Sequence, residues 1–94
     1  MTGRAAEFAA LYRTRYAAIH AYGARRGGPH AADEIAAETF LVAWRRWDAV
    51  RAEPLPWLFG VARNVVLRHW EQSARQQRAM AALDQERGLI CVPR

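Results

Sequence analysis

The sequence contains no lysine, a single cysteine and no long apolar run. Cys91 has no partner for an internal disulfide, which fits a reducing compartment. No apolar run approaches the roughly 20 residues that a membrane-spanning helix needs. The first residues, MTGRAAEF, carry charge on both sides of a short alanine pair and do not resemble a signal peptide. We therefore expect a cytoplasmic protein.

Because lysine is absent, arginine supplies every basic side chain other than the histidines. The net charge of +5 and an isoelectric point near 10.6 favour polyanionic partners. Guanidinium groups pair with phosphate through two hydrogen bonds and also stack on bases. The codon usage of a GC-rich genome is the alternative explanation for the excess of arginine and alanine.

Length and composition predict one helical domain. Ninety-four residues suit a single domain, and 52% hydrophobic residues with four Trp argue against disorder. β-Branched residues are scarce, whereas Ala, Leu, Arg, Gln and Glu, which favour helices, dominate.

Apolar periodicity predicts a first helix from about Ala5 to Arg26. Gly27, Gly28 and Pro29 end it, because Gly accepts a left-handed cap and Pro cannot continue a helix. The stripe expected to face the core comprises Phe8, Leu11, Tyr12, Tyr16, Ile19 and Tyr22.

A second helix is predicted to begin near Pro29–Ala32 and to reach about Trp47, because Pro suits a first helical position and acidic residues follow it. Its inward stripe comprises Ile35, Ala36, Thr39, Phe40, Ala43, Trp44 and Trp47. A different face combines carboxylates, a large apolar residue and a cation, namely Glu34, Ala37, Glu38, Leu41 and Arg45.

Two prolines predict a loop at residues 48–56, followed by a third helix from Pro56 to about Arg78 or beyond. The buried stripe of this helix comprises Trp57, Leu58, Val61, Ala62 and Val65. Steps of four and three place another set on one outward side, namely Asn64, Arg68, Glu71, Arg75 and Arg78. The expected fold is all-α, a compact three-helix bundle with a flexible C-terminal tail at residues 79–94.

The sequence carries no catalytic or cofactor motif. It has no Gly-rich phosphate loop, no nucleophile–base constellation, and no metal-ligand spacing among His20, His30 and His69. We expect no enzymatic activity, no metal site and no cofactor.

Three ordered segments resemble region 2 of extracytoplasmic-function (ECF) sigma factors of the sigma-70 family. Residues 33–45, DEIAAETFLVAWR, are similar to region 2.2, with its acidic pair, apolar pair, Gln-Glu-Thr-Phe and aromatic-Arg ending. Residues 56–64, PWLFGVARN, are similar to the segment that opens region 2.4, and Phe8, Leu11, Tyr12 and Tyr16 resemble region 2.1. The resemblance implies a region 2 domain at residues 1–78, divided into region 2.1 (about 5–26), region 2.2 (29–47), a region 2.3 loop (48–56) and region 2.4 (56–78), before an interdomain linker or tail (79–94).

In this family the second helix binds the clamp helices of the RNA polymerase β′ subunit. The resemblance implies that role for Glu34, Ala37, Glu38, Leu41 and Arg45. An apolar residue framed by charges can anchor a partner helix and set its register. A solvated face with one exposed leucine is the alternative.

The resemblance also implies that the loop and the third helix recognise the promoter −10 element and bind a base flipped out of its non-template strand. The implied DNA-binding residues are Arg51, Arg63, Asn64, Arg68, Arg75 and Arg78. The Asn64 amide can both donate to and accept from a base edge, and the arginines would contact phosphates. A hydrated helix surface is the alternative for this set, and Trp70, nearer the polar side, is a candidate for stacking on a base.

Several positions depart from the family pattern. Ala31 replaces the usual Asp, so one helix N-cap is missing, and Ala37 replaces the usual Gln on the polymerase-binding face. Arg68 stands where Asp is common, and Glu71 and Gln72 where an Arg pair is common. Family members also carry a second domain that reads the −35 element. Nothing after residue 78 is long enough to form it, so we expect a fragment that ends within the linker.

Two other functions stay open. The chain could be a protein-interaction module held mainly by an anti-sigma factor, a partner that the resemblance also implies. It could also be an ordinary helix-turn-helix that binds duplex DNA. In the first case the anti-sigma factor would cover the same face as polymerase. In the second case the chain would bind duplex DNA more tightly than single-stranded DNA.

Overall fold

The computed structural model describes the backbone of residues 3–90 and the side chains of residues 3–87. Over this range the chain is helical and contains no strand, which confirms the all-α prediction. The elements are α1 (Gly3–Gly27), a 3₁₀ turn (Pro29–Ala31), α2 (Ala32–Arg45), α3 (Trp47–Val50) and α4 (Pro54–Ile90). The three long helices pack on one another as a bundle. None of the helices in residues 3–90 has the length and apolarity needed to cross a membrane.

The segment between α2 and α4 differs from the loop predicted at residues 48–56. The one-turn helix α3 occupies its first part, and α4 begins at Pro54 rather than at Pro56. The prolines do not break α4, because the first N–H groups of a helix have no intrahelical acceptor to lose. Trp47 and Val50 are buried and anchor α3 on the core. The loop prediction was therefore wrong for these two parts of the segment.

Helix α4 continues past Arg78, the residue near which its predicted apolar pattern ends. Residues 79–87 are exposed, but all of them except Asp84 are residue types with high helix propensity, which favour helix without help from packing. Its 37 residues make α4 about 55 Å long. The helix is thus longer than apolar periodicity alone indicates, and residues 91–94 of the predicted tail lie outside the described residues.

The core lies where α1, α2 and α4 meet. Two residues of the predicted inward stripes are more exposed than expected, Tyr12 at 41% and Trp44 at 37%. Both lie at the border of their stripe, where Trp44 packs its ring 5.1 Å from that of Phe8 and the Arg4 guanidinium lies over it at 4.4 Å. The other stripe residues are buried or half-buried as predicted, and the buried residues among them are Leu11, Ile19, Ile35, Ala36, Thr39, Phe40, Ala43, Trp47, Leu58, Ala62 and Val65.

Two glycines allow α1 and α2 to approach closely. A Cβ on Gly23 would lie 3.1 Å from Cγ2 of Ile35, and a Cβ on Gly27 would clash with Cδ1 of the same residue. Gly28 then adopts a φ of 100°, a conformation that favours glycine, and ends α1 as the sequence predicts. The side chain of Ile35 is therefore seated against the backbone of α1.

Helix α2 begins without a side-chain cap, as Ala31 predicts. The 3₁₀ turn satisfies one of the first N–H groups of α2, since the N–H of Ala32 donates to the carbonyl oxygen of Pro29. Asp33 and Glu34 lie in the first turn of α2, where negative charge complements the helix dipole. Ala31 itself is buried, so its side chain contributes to packing instead of capping.

Trp70 connects α4 to the C-terminal end of α1. Its indole Nε1–H donates to the carbonyl oxygen of Arg26 at 2.9 Å, a group that a helix end leaves without an intrahelical donor. Trp70→Phe should keep most of the packing and lower the free energy of unfolding by about 0.5–1.5 kcal/mol. Urea unfolding followed by circular dichroism measures the change, and an unaltered midpoint would argue against this role.

Candidate functional site

The outward side of α2 carries the five residues predicted to bind RNA polymerase, and we call them the α2 face. Glu38 is half-buried and the other four are exposed. Leu41 has an exposed fraction of 46%, although it neighbours the buried Phe40. The α2 face therefore presents an accessible apolar side chain among charged ones, and its members are Glu34, Ala37, Glu38, Leu41 and Arg45.

A groove with a volume of about 420 Å³ separates the α2 face from α4. Glu34, Ala37, Glu38 and Leu41 line one side, and Arg68, His69 and Gln72 line the other. The α2 face is thus one wall of a groove. Sequence reasoning did not assign His69 and Gln72 to a site, because only the packing of α4 on α2 brings them to this groove.

The outward side of α4 carries Asn64, Arg68, Arg75 and Arg78, which we call the α4 face. All four side chains are exposed, and their spacing places them along one side of the helix. Arg75 and Arg78 lie about 16 Å and 21 Å along the axis from Asn64. Asn64 and Arg68 border a cavity of about 580 Å³, which we call the Asn64 cavity. It is also lined by Val42, Arg46, Pro56, Trp57, Gly60, Val61 and Val65.

The structure does not bring Arg51 and Arg63 to that cavity. Arg63 is exposed but lies about 100° around α4 from Asn64. Arg51 follows α3, and its Nη2 pairs with Oε2 of Glu7 in α1 at 3.3 Å. The predicted DNA-binding set is therefore distributed over three surfaces of the bundle.

Sequence reasoning also missed several residues of the Asn64 cavity, among them Arg46 and Gly60. Gly60 lies one turn before Asn64, and a Cβ placed on it would meet no other atom within 4 Å. That spacing was a usable signal, because residues four apart share a helix side. Arg46 follows the end of α2 and carried no such signal.

One carboxylate connects the α2 face with α4. Nη2 of Arg68 donates to Oε2 of Glu38 at 3.0 Å, and Nε2 of His69 lies 3.3 Å from Oε1 of Glu38. Arg68 also lines both the groove and the Asn64 cavity. The side chain of Arg68 therefore lies between the groove beside the α2 face and the Asn64 cavity, which the sequence analysis assigned to two separate surfaces.

A second set of polar contacts joins α1 to the start of α2. Nε2 of His20 lies 2.9 Å from Oδ1 of Asp33. Burial first, and then the negative charge of Asp33, raise the pKa of Tyr16 above its ordinary value. Within residues 3–90, no group of three or more His, Cys, Asp or Glu side chains is placed to hold a metal ion. The contact between His20 and Asp33 therefore links α1 to the start of α2 at the surface of the bundle.

Comparison with known proteins identifies the family. The family described as Sigma-70 region 2 matches residues 8–76, which is more than half of the chain and includes the α2 face and all of the α4 face except Arg78. No curated protein and no solved structure matches the chain. Domains of this family act in transcription initiation, where they bind core RNA polymerase and recognise promoter DNA, and they are not enzymes. The chain therefore belongs to the sigma-70 region 2 family of transcription initiation factor domains.

Proposed function

We propose that the α2 face binds the clamp helices of the β′ subunit of core RNA polymerase. The exposed Leu41 at the edge of a groove is the observation that carries this proposal. A partner helix that covers Leu41 would gain an apolar anchor, and the charges of Glu34, Glu38 and Arg45 would set its register.

We further propose that the Asn64 cavity binds an unpaired base from the non-template strand of the −10 element. Its volume of about 580 Å³ falls in the range of cavities that hold small molecules. Trp57 contributes apolar surface, and the Asn64 amide can donate to and accept from a base edge. Extruding a base costs a few kcal/mol, which these contacts would offset and so favour the melted promoter.

The arginines of α4 would contact phosphates. Arg68, Arg75 and Arg78 lie on the same side as Asn64 and would fix the path of the strand whose base enters the cavity, whereas Arg63, about 100° around the helix, would contact a phosphate beside that path. Four phosphate contacts on a single strand correspond to a slope of log affinity against log salt of roughly −3. Arg51 would join them only by exchanging Glu7 for a phosphate.

We also propose the subtype, the location and a regulator of the protein. The three segments that resemble regions 2.1, 2.2 and 2.4 favour the ECF type within the family. A protein of this type would act in the cytoplasm and be controlled by an anti-sigma factor that covers the α2 face. An anti-sigma factor of this kind should compete with core polymerase for the chain in a direct displacement assay.

Asn64→Ala tests the proposed base contact. The variant should reduce binding to single-stranded −10 DNA, and promoter opening in a reconstituted assay, by about fivefold or more, because a base-specific contact is removed. Binding to core polymerase should remain unchanged, since Asn64 lies outside the α2 face.

Gln77→Ala is the matched control, because it removes an exposed amide from α4 away from the cavity. Equal loss in both variants would show that the cavity is not the site of base binding. A parent chain that binds duplex −10 DNA more tightly than the single strand would favour a duplex-binding regulator instead.

A further inference from the structure

We propose that Glu38 is a positioning residue that couples docking of the α2 face to phosphate binding by Arg68. In the free chain Glu38 holds Arg68, and a partner that contacts Glu38 releases Arg68 toward DNA. This inference rests on the proposed function and adds to it a link between its two surfaces.

The geometry around Arg68 carries the inference. The guanidinium is 3.0 Å from Glu38, and the same side chain borders both the groove and the Asn64 cavity. Nη2 bonded to a carboxylate cannot also donate that hydrogen bond to a phosphate, although the side chain remains accessible at 56%. The other N–H groups of Arg68 can still reach a phosphate, but that phosphate loses the donor held by Glu38 and meets the negative charge of the carboxylate, so Glu38 weakens phosphate binding by Arg68.

Glu38 can be drawn away from Arg68 from the groove side. Its carboxylate contributes to the groove wall one turn from Leu41, where a docked helix would lie. A cation on that helix would compete with Arg68 and His69 for the two carboxylate oxygens. Docking would then free a phosphate-binding arginine next to Asn64, so that the chain binds DNA more tightly on polymerase than alone.

Glu38→Gln in the free chain tests this coupling without polymerase. Titration of a short fluorescent single-stranded DNA should show a twofold to fivefold gain in affinity, about the strength of an exposed ion pair. The slope of log affinity against log salt should become more negative by about 0.7, the value of one added phosphate contact on a single strand. Circular dichroism should show the helix content of the parent.

Two further variants separate release of Arg68 from simple loss of a negative charge. Glu34→Gln removes the same charge one turn earlier on α2, and no ion pair of Glu34 occurs among the described residues. It should give a smaller gain and an unchanged salt slope. In an Arg68→Gln background, Glu38→Gln should give no more than the gain from Glu34→Gln.

Equal gains from Glu38→Gln and Glu34→Gln would overturn the proposal, as would a full gain without Arg68 or an absence of DNA binding by every variant at low salt. Failure of the proposed docking is read separately, from polymerase binding by the Leu41 variant described below. That assay contains no oligonucleotide, so the two outcomes are distinguishable.

Discussion

Replacing Leu41 with aspartate is expected to weaken binding of the chain to core RNA polymerase at least about tenfold, the loss typical of a central apolar anchor. The new carboxylate would have to be buried without a partner beneath the docked helix, which adds a desolvation penalty. The fold should persist, because Leu41 is 46% exposed and its loss leaves no cavity in the core. Pull-down of core polymerase by the tagged chain, followed by a fluorescence titration, measures the effect.

Leu83→Asp is the matched control for this prediction. It makes the same substitution at a leucine of similar exposure, 53%, on the distal part of α4. We expect it to bind polymerase like the parent chain. If Leu41→Asp also binds like the parent, the α2 face is not the docking surface.

Ile35→Ala is expected to destabilise the domain by about 2–5 kcal/mol, the range observed for truncating a buried aliphatic side chain. Ile35 is fully buried and lies against Gly23 and Gly27 of α1, so its loss would leave a cavity between two helices. Because domains are stable by only about 5–15 kcal/mol, the variant would lose a substantial share of its stability and unfold at a lower temperature and a lower urea concentration than the parent. Urea unfolding and thermal melting measure the change.

Leu83→Ala removes as many carbon atoms from an exposed position. It should change the free energy of unfolding by no more than about 0.5 kcal/mol. Comparable stability of the two variants would mean that the packing of α1 on α2 contributes little to the fold.

The long helices and most of the core follow from the sequence because apolar periodicity is a local property. The stripe of α1 and that of α2 each repeat with the helical period, so their inward sides could be assigned without knowing what they contact. The start of α4 could not be assigned from the sequence, because Pro54 and Pro56 indicate a break in a helix unless they are known to occupy its first turn. The exposure of Tyr12 and Trp44 depends on how far the neighbouring helix extends across them, which is a tertiary property.

The candidate surfaces were predictable one helix at a time. Spacing along α2 and α4 identified which residues share a side, and the structure leaves the residues of the α2 face and the α4 face at the surface. The relation between these faces was not predictable, because Glu38 and Arg68 are separated by 30 residues and meet only when α2 packs on α4. The contribution of Arg46 to the Asn64 cavity has the same origin.

The uninterrupted length of α4 has a mechanical consequence. From Asn64 to the end of the helix at Ile90 the backbone rises about 39 Å without a break. A helix acts as a semi-rigid spacer, whereas a loop of the same length would sample many distances. A group attached at the distal end of α4 would therefore be held at a nearly fixed distance and direction from the Asn64 cavity.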